Sequence, residues 1–187
     1  VFSGSLSYIF NTFSESDKPF SAILLDAMKK GFTEPDVRED LSGNDVGRKL
    51  LILARELDLS NEFSDISINN LIPEDLREGS VDDFLENLDV LDAKFSEIKK
   101  NQKPGHVLRY VGDLHGDLQK EKGILEVKLV SVPKESALGQ VKGSDSIIEI
   151  YTESYGKNPL VIQGAGAGAA VTARGVFGDI LRIAEKG

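Results

Sequence analysis

Lys100-Asn101-Gln102-Lys103-Pro104-Gly105-His106-Val107-Leu108-Arg109-Tyr110-Val111 is the stretch at which the chain changes its periodicity. Lys103-Pro104-Gly105 ends an amphipathic helix expected from Asp89 to about Lys100, and Val107 to Leu114 opens the first strand. Upstream the apolar residues recur at helical spacing. Phe20 to Lys30 carries Ile23, Leu24 and Ala27 on one face, with Gly31 as the stop. Asn44 to Leu57 places Val46, Leu50, Leu53, Ala54 and Leu57 at helical intervals. Ser80-Val81-Asp82-Asp83 resembles a capping box ahead of Phe84, Leu85 and Leu88, with Asp a weaker third-position partner than Glu. Downstream the period changes. In Ile124 to Val132, Leu125, Val127 and Leu129 alternate with Glu126 and Lys128, and Ile147 to Tyr155 sets Ile148 and Ile150 against Glu149, Tyr151 and Glu153. Pro159-Leu160-Val161-Ile162 is a short apolar strand, and a last helix is expected from about Ala170 to Ala184. The fold class is α+β: helices packed on one face of a mostly antiparallel or mixed sheet, in a meander, with a closing C-terminal helix.

The 187 residues make one domain, or a large piece of one, and 40% apolar composition is enough for a real core. The net charge is −9, which disfavours a nucleic-acid backbone or an anionic membrane as partner. All of that charge comes from residues 1–105, with 21 acids and 12 bases; residues 106–187 hold 10 of each. Cysteine is absent, so disulfides, thiolate metal sites and cysteine nucleophiles are excluded, and two histidines are too few for structural zinc; no metal is expected. No run approaches the roughly 18 apolar residues of a membrane span, and no signal-peptide pattern opens the chain. A soluble, cytoplasmic protein is expected.

Three features can carry chemistry. Gly164-Ala165-Gly166-Ala167-Gly168-Ala169 formally matches a dinucleotide fingerprint, but only 18 residues follow it, too few for a second strand and a ribose-binding acid. It is read either as backbone open to a ligand or as close strand-to-helix packing. Thr33 to Asp45 has Asp, Glu or Arg at six of thirteen positions. With Pro35 disfavouring helix at Glu34, it is expected to be a shaped acidic loop, either solvated or presenting carboxylates to a ligand. Asp45 and Lys49 stand one turn apart on the following helix. Such a pair is ordinarily exposed, but Leu50, Leu51, Ile52, Leu53 and Ala54 make the helix apolar almost all round, so Lys49 is expected to be partly buried and in need of a partner. His106 and His115, without companions at ligand spacing, read as ordinary surface or core histidines.

A resemblance goes further than these patterns. Phe2-Ser3-Gly4-Ser5-Leu6-Ser7-Tyr8-Ile9-Phe10-Asn11 is similar to the F-S-G-T-L-S-Y-I-F-N segment of homoserine dehydrogenases. Gly31-Phe32-Thr33-Glu34-Pro35-Asp36-Val37-Arg38-Glu39-Asp40-Leu41-Ser42-Gly43-Asn44-Asp45-Val46-Gly47-Arg48-Lys49 resembles that family's long central signature, which ends in D-V-A-R-K. Lys142-Gly143-Ser144-Asp145 and Gln163 to Ala169 follow in the family's order. The match runs from Val1 to the final helix.

The resemblance implies reversible reduction of L-aspartate 4-semialdehyde to L-homoserine by NADH or NADPH. Motif on motif, Lys49 falls on the family's proton donor and acceptor. Glu34 and Asp45 fall on substrate-binding positions, Asp40 on a further active-site carboxylate, and Gly31 and Gly168 on glycines that approach the nicotinamide. The family's N-terminal nucleotide-binding domain precedes the segment seen here, so the chain is expected to be the catalytic, substrate-binding and dimerisation part of a longer enzyme, with an aspartate kinase fused upstream. Ser5, Val37, Glu39 and Gly47 depart from the pattern. Val37 in place of Pro is expected to loosen the loop, and Gly47 in place of Ala to weaken its helix by about 1 kcal/mol. A non-catalytic dimerisation or amino-acid-sensing module derived from the family is the alternative reading.

Overall fold

A computed structural model describes residues 1–166 and 169–185 of the chain. The helical half comes first: α1 (Gly4–Glu15), α2 (Phe20–Lys29), α3 (Val37–Ser42) and α4 (Asn44–Glu56). After a 3-10 turn at Phe63–Asp65, β1 (Ser67–Ile68) is followed by a second turn, α5 (Val81–Glu86) and α6 (Asp89–Lys100). Then come β2 (His106–His115), β3 (Ile124–Pro133), α7 (Ala137–Gln140), β4 (Asp145–Ile150), β5 (Leu160–Ala165) and α8 (Ala169–Glu185). The α+β class and the closing helix are as expected.

The strands do not form one meander. β2 and β3 pair antiparallel, with Tyr110 opposite Leu129 and Asp113 opposite Glu126, and β1 adds to β3 in parallel. β4 and β5 pair antiparallel in a separate two-stranded sheet. α1 lies against both sheets: the Ser7 hydroxyl donates to the Asp145 carbonyl and the Asn11 amide to the Gly143 carbonyl, each at 2.8 Å.

The main core forms where α1, α2, α4 and α6 meet β2 and β3. Phe10, Phe13, Phe20 and Phe95 pack there ring against ring, with the Phe20 and Phe95 centroids 3.9 Å apart. Leu108 and Tyr110 on β2 and Leu125 and Val127 on β3 face this core, so the alternation of β3 is as predicted. β2 is buried on both faces. Arg109 is 3% exposed and donates to carbonyls, those of Leu138 (2.9 Å), Gly139 (2.7 Å), Val141 (3.3 Å) and Leu108 (2.7 Å). Its planar fork thereby ties α7 to the sheet. In β4 the buried residue is Ile147, packed with Val1, Val111 and Val141, while Ile148 is half-buried and Ile150 exposed. The inward phase is therefore the opposite of the expected one, because the cover comes from the Val1 side. β5 and the described side chains of α8 lie on the surface, leaving Leu160, Val161, Ile162, Phe177, Ile180 and Ile183 exposed.

Candidate active site

The segment from Gly31 to Lys49 is held residue by residue. α2 ends in a Schellman turn: Phe32 N–H donates to the Ala27 carbonyl and Gly31 N–H to that of Met28, with Gly31 at φ +70°. Among the described residues nothing lies within 4 Å of where a Cβ on Gly31 would stand, so the backbone there is open. Phe32 packs on Tyr8, their centroids 4.9 Å apart, and the Tyr8 hydroxyl donates to Asp26 while accepting from Lys30. Glu34 N–H then donates to Asp40 Oδ2 at 2.9 Å.

The acidic stretch is not the loop expected from its sequence. Asp36 caps α3, accepting from Arg38 N–H at 3.0 Å, and the Arg38 guanidinium grips the same carboxylate at 2.7–3.2 Å. That grip holds Asp36 below the usual carboxylate range. Val37 and Leu41, four apart, are fully buried, which supplies the apolar face of this short helix. Val37 therefore occupies the first helical position, where Pro also fits, and no loop is loosened.

Gly43 joins α3 to α4 in a left-handed conformation at φ +77°. A Cβ there would overlap the Tyr110 hydroxyl, which donates to the Asn69 carbonyl at 2.7 Å. The junction between the helices that carry Asp40 and Asp45 thus rests on a buried tyrosine of β2. Burial pushes the Tyr110 phenol above its usual pKa, so it stays a neutral donor.

Lys49 has partners, as expected, but is not buried. Its ammonium lies 2.7 Å from Asp45 Oδ2 and donates to the Phe2 carbonyl at 3.1 Å, and the two side chains are 46% and 58% exposed. The inference from all-round apolarity fails because α4 buries only one face, with Val46, Leu50 and Ala54, and leaves Ile52 60% exposed. Asp40 differs from Asp45. Its Oδ1 accepts from the buried Ser5 hydroxyl at 2.6 Å, and burial raises its pKa although the Ser5 and Glu34 donors oppose the shift. Glu34 and Asp45 are exposed and Asp40 half-buried. Gly168 lies outside the described residues.

Two further residues belong to the site. Phe2, through its carbonyl, and Ser5, through its hydroxyl, tie the start of α1 to Lys49 and Asp40. The family resemblance spans these positions without implying a role for them: the Phe2 acceptor is a backbone group, which leaves no trace in residue type, whereas the hydroxyl kept at Ser5, where the family has Thr, is a signal that could have found it. His115 is a surface histidine, as read, but it does not lack company. The β2–β3 register brings it to Glu126, 3.1 Å away, with Asp113 close by, and ligand atoms of the three lie within 4.8 Å of one another. Lys128 already reaches this group, at 3.0 Å from Asp113 and 2.5 Å from Glu126, and offsets part of its negative charge.

The homoserine dehydrogenase family matches residues 1–181. The chloroplastic bifunctional aspartokinase/homoserine dehydrogenase 1 of Zea mays is 46% identical over 187 residues, covering 99% of this chain and 20% of that protein. The homoserine dehydrogenase of Emericella nidulans is 43% identical over 197 residues, covering the whole chain and 52% of the relative. Among solved structures, a Candida auris protein of unknown function superposes with a TM-score of 0.84 at 40% identity, over 99% of this chain and 52% of that one. The chain thus spans about a fifth of the plant relative and about half of the fungal one.

Proposed function

The chain belongs to the homoserine dehydrogenase family, and from that membership we propose that it is the catalytic portion of an enzyme interconverting L-aspartate 4-semialdehyde and L-homoserine. The observation that carries the reading is the Lys49 ammonium, fixed between Asp45 and the Phe2 carbonyl yet half open to solvent. The nicotinamide cofactor, NADPH or NADH, supplies the hydride in one direction and takes it up in the other. Reduction leaves an alkoxide at the former aldehyde carbon, which Lys49 stabilises and protonates; in oxidation the lysine amine takes the hydroxyl proton. Glu34 and Asp45 hold the substrate's amino group, and Asp40 serves the same substrate site. Gly31 and Gly168 are the cofactor-binding positions of this part of the enzyme.

This reading makes the chain one part of a longer enzyme whose remaining cofactor contacts lie outside residues 1–187. It also makes the enzyme at least a dimer, the apolar surface of the β4–β5 sheet meeting its copy. The test is an assay of homoserine-dependent NAD or NADP reduction. The complete enzyme should show it and residues 1–187 alone should not, because these two glycines leave the pyrophosphate and ribose unheld. A complete enzyme inactive with homoserine and both cofactors rules the reading out.

A further inference from the structure

Three carboxylates stand in the candidate site, but only two face solvent. Asp45 and Glu34 are exposed and suited to an incoming ammonium group. Asp40 is half-buried with both oxygens engaged by the protein, Oδ1 by the Ser5 hydroxyl at 2.6 Å and Oδ2 by the Glu34 amide at 2.9 Å. Ser5 is itself 5% exposed, and its oxygen lies 3.1 Å from that of Ser3, the residue that caps α1. A continuous line of hydrogen bonds therefore runs from the cap of α1 through Ser5 and Asp40 to the backbone of Glu34.

The same end of α1 reaches Lys49 as well. Phe2, three residues before Ser5, accepts from the Lys49 ammonium. One short segment, Phe2 to Ser5, thus touches the lysine on one side and, through Asp40, the Glu34 loop on the other. We infer that Asp40 is a positioning residue: its carboxylate, fixed by Ser5, sets where Glu34 stands relative to Lys49, and it does not itself bind substrate. The inference rests on the homoserine reading for its kinetic consequences, whereas its structural content is a statement about the Glu34 backbone.

The chemistry separates the two roles. A carboxylate that binds an ammonium acts through charge, so Asp40→Asn would harm it about as much as Asp40→Ala. A carboxylate that positions a loop acts as a hydrogen-bond acceptor. Asn keeps an oxygen for the Glu34 N–H, and its amide NH2 donates to the Ser5 oxygen, which accepts as readily as it donates.

The experiment uses the complete enzyme and two readouts, the homoserine KM with kcat, and hydrogen exchange at the Glu34 amide. Asp40→Ala should raise KM about 10-fold and speed Glu34 exchange by a similar factor, while Asp40→Asn stays within about 3-fold on both. Ser5→Ala should shift both readouts in the direction of Asp40→Ala, and Ser5→Thr, which keeps the hydroxyl, should restore them. The Ser5→Ala/Asp40→Ala double variant should be no worse than Asp40→Ala, because the two residues act in series. If Asp40→Ala fails to fold, Ser5→Ala against Ser5→Thr decides. The proposal is overturned if Asp40→Asn raises KM as far as Asp40→Ala, or if Glu34 exchange is unmoved in both Asp40→Ala and Ser5→Ala. If the wild-type enzyme does not turn over homoserine, the functional reading fails by itself, and exchange at the Glu34 amide still decides whether Asp40 positions that loop.

Discussion

The Lys49 ammonium donates to the carbonyl of Phe2 at 3.1 Å, although 47 residues separate them in the chain. The contact is possible because Gly112 on β2 has no side chain: a Cβ there would stand 3.1 Å from the Phe2 ring and 3.3 Å from Leu50 of α4. Phe2 therefore packs between strand and helix, and its carbonyl is carried to the lysine. The site is organised by the first residues of the chain as much as by the long acidic signature.

The junction between α3 and α4 should be intolerant of a side chain. Gly43→Ala combines a left-handed backbone with a clash at the Tyr110 hydroxyl, and is expected to destabilise by roughly 2–4 kcal/mol. Adding Tyr110→Phe removes the clashing oxygen, so the double variant should be less destabilised than the sum of the two singles. Denaturant midpoints of the four proteins measure this, and additive losses would show that the contact does not matter.

Asp45→Ala, which also removes the ion-pair partner of Lys49, should lower kcat as well as raise the homoserine KM, whereas Glu34→Ala should act mainly on KM. Lost uniform binding raises KM and leaves kcat nearly unchanged. Steady-state kinetics at saturating cofactor distinguish this from a direct part in the chemistry, for which kcat would fall at unchanged KM.

The exposed β4–β5 surface predicts self-association. Light scattering or sedimentation of the complete enzyme at micromolar concentration should give a mass of at least two chains. A mass equal to one would remove the sheet from the subunit interface.

Much of the fold is legible in local sequence, and what is not has physical reasons. Helices α2, α4, α5 and α6 and the four longer strands follow from apolar spacing, and Gly31 stops α2 by the expected left-handed turn. Helix α1 is an addition to the expected elements, although Leu6, Ile9, Phe10 and Phe13 recur at helical spacing after the capping Ser3, and all four are buried. The two residues of β1 carry no pattern of their own and are held by their pairing to β3. The division into two sheets, and the inward turn of Ile147, depend on which elements cover β4. Lys49 and Asp45 can be paired from their spacing, but the exposure of Lys49 depends on which face of α4 meets the sheet. Gly47 reads as a weak point of its helix; a Cβ there would stand 2.9 Å from Ile68 and 3.2 Å from Phe63, so close packing gives the glycine a reason.

The most direct test of Lys49 chemistry is the turnover of Lys49→Ala in the complete enzyme, with folding and cofactor affinity verified separately. A positioned acid–base group is worth roughly 10²–10⁴ in rate, or about 3–5 kcal/mol, so kcat should fall by that factor while cofactor affinity stays nearly constant. An exposed Asp45–Lys49 pair without a catalytic role would cost only a few tenths of a kcal/mol of stability and leave turnover normal. A folded Lys49→Ala enzyme retaining more than about a tenth of the wild-type kcat would contradict the assignment of Lys49 as the proton donor.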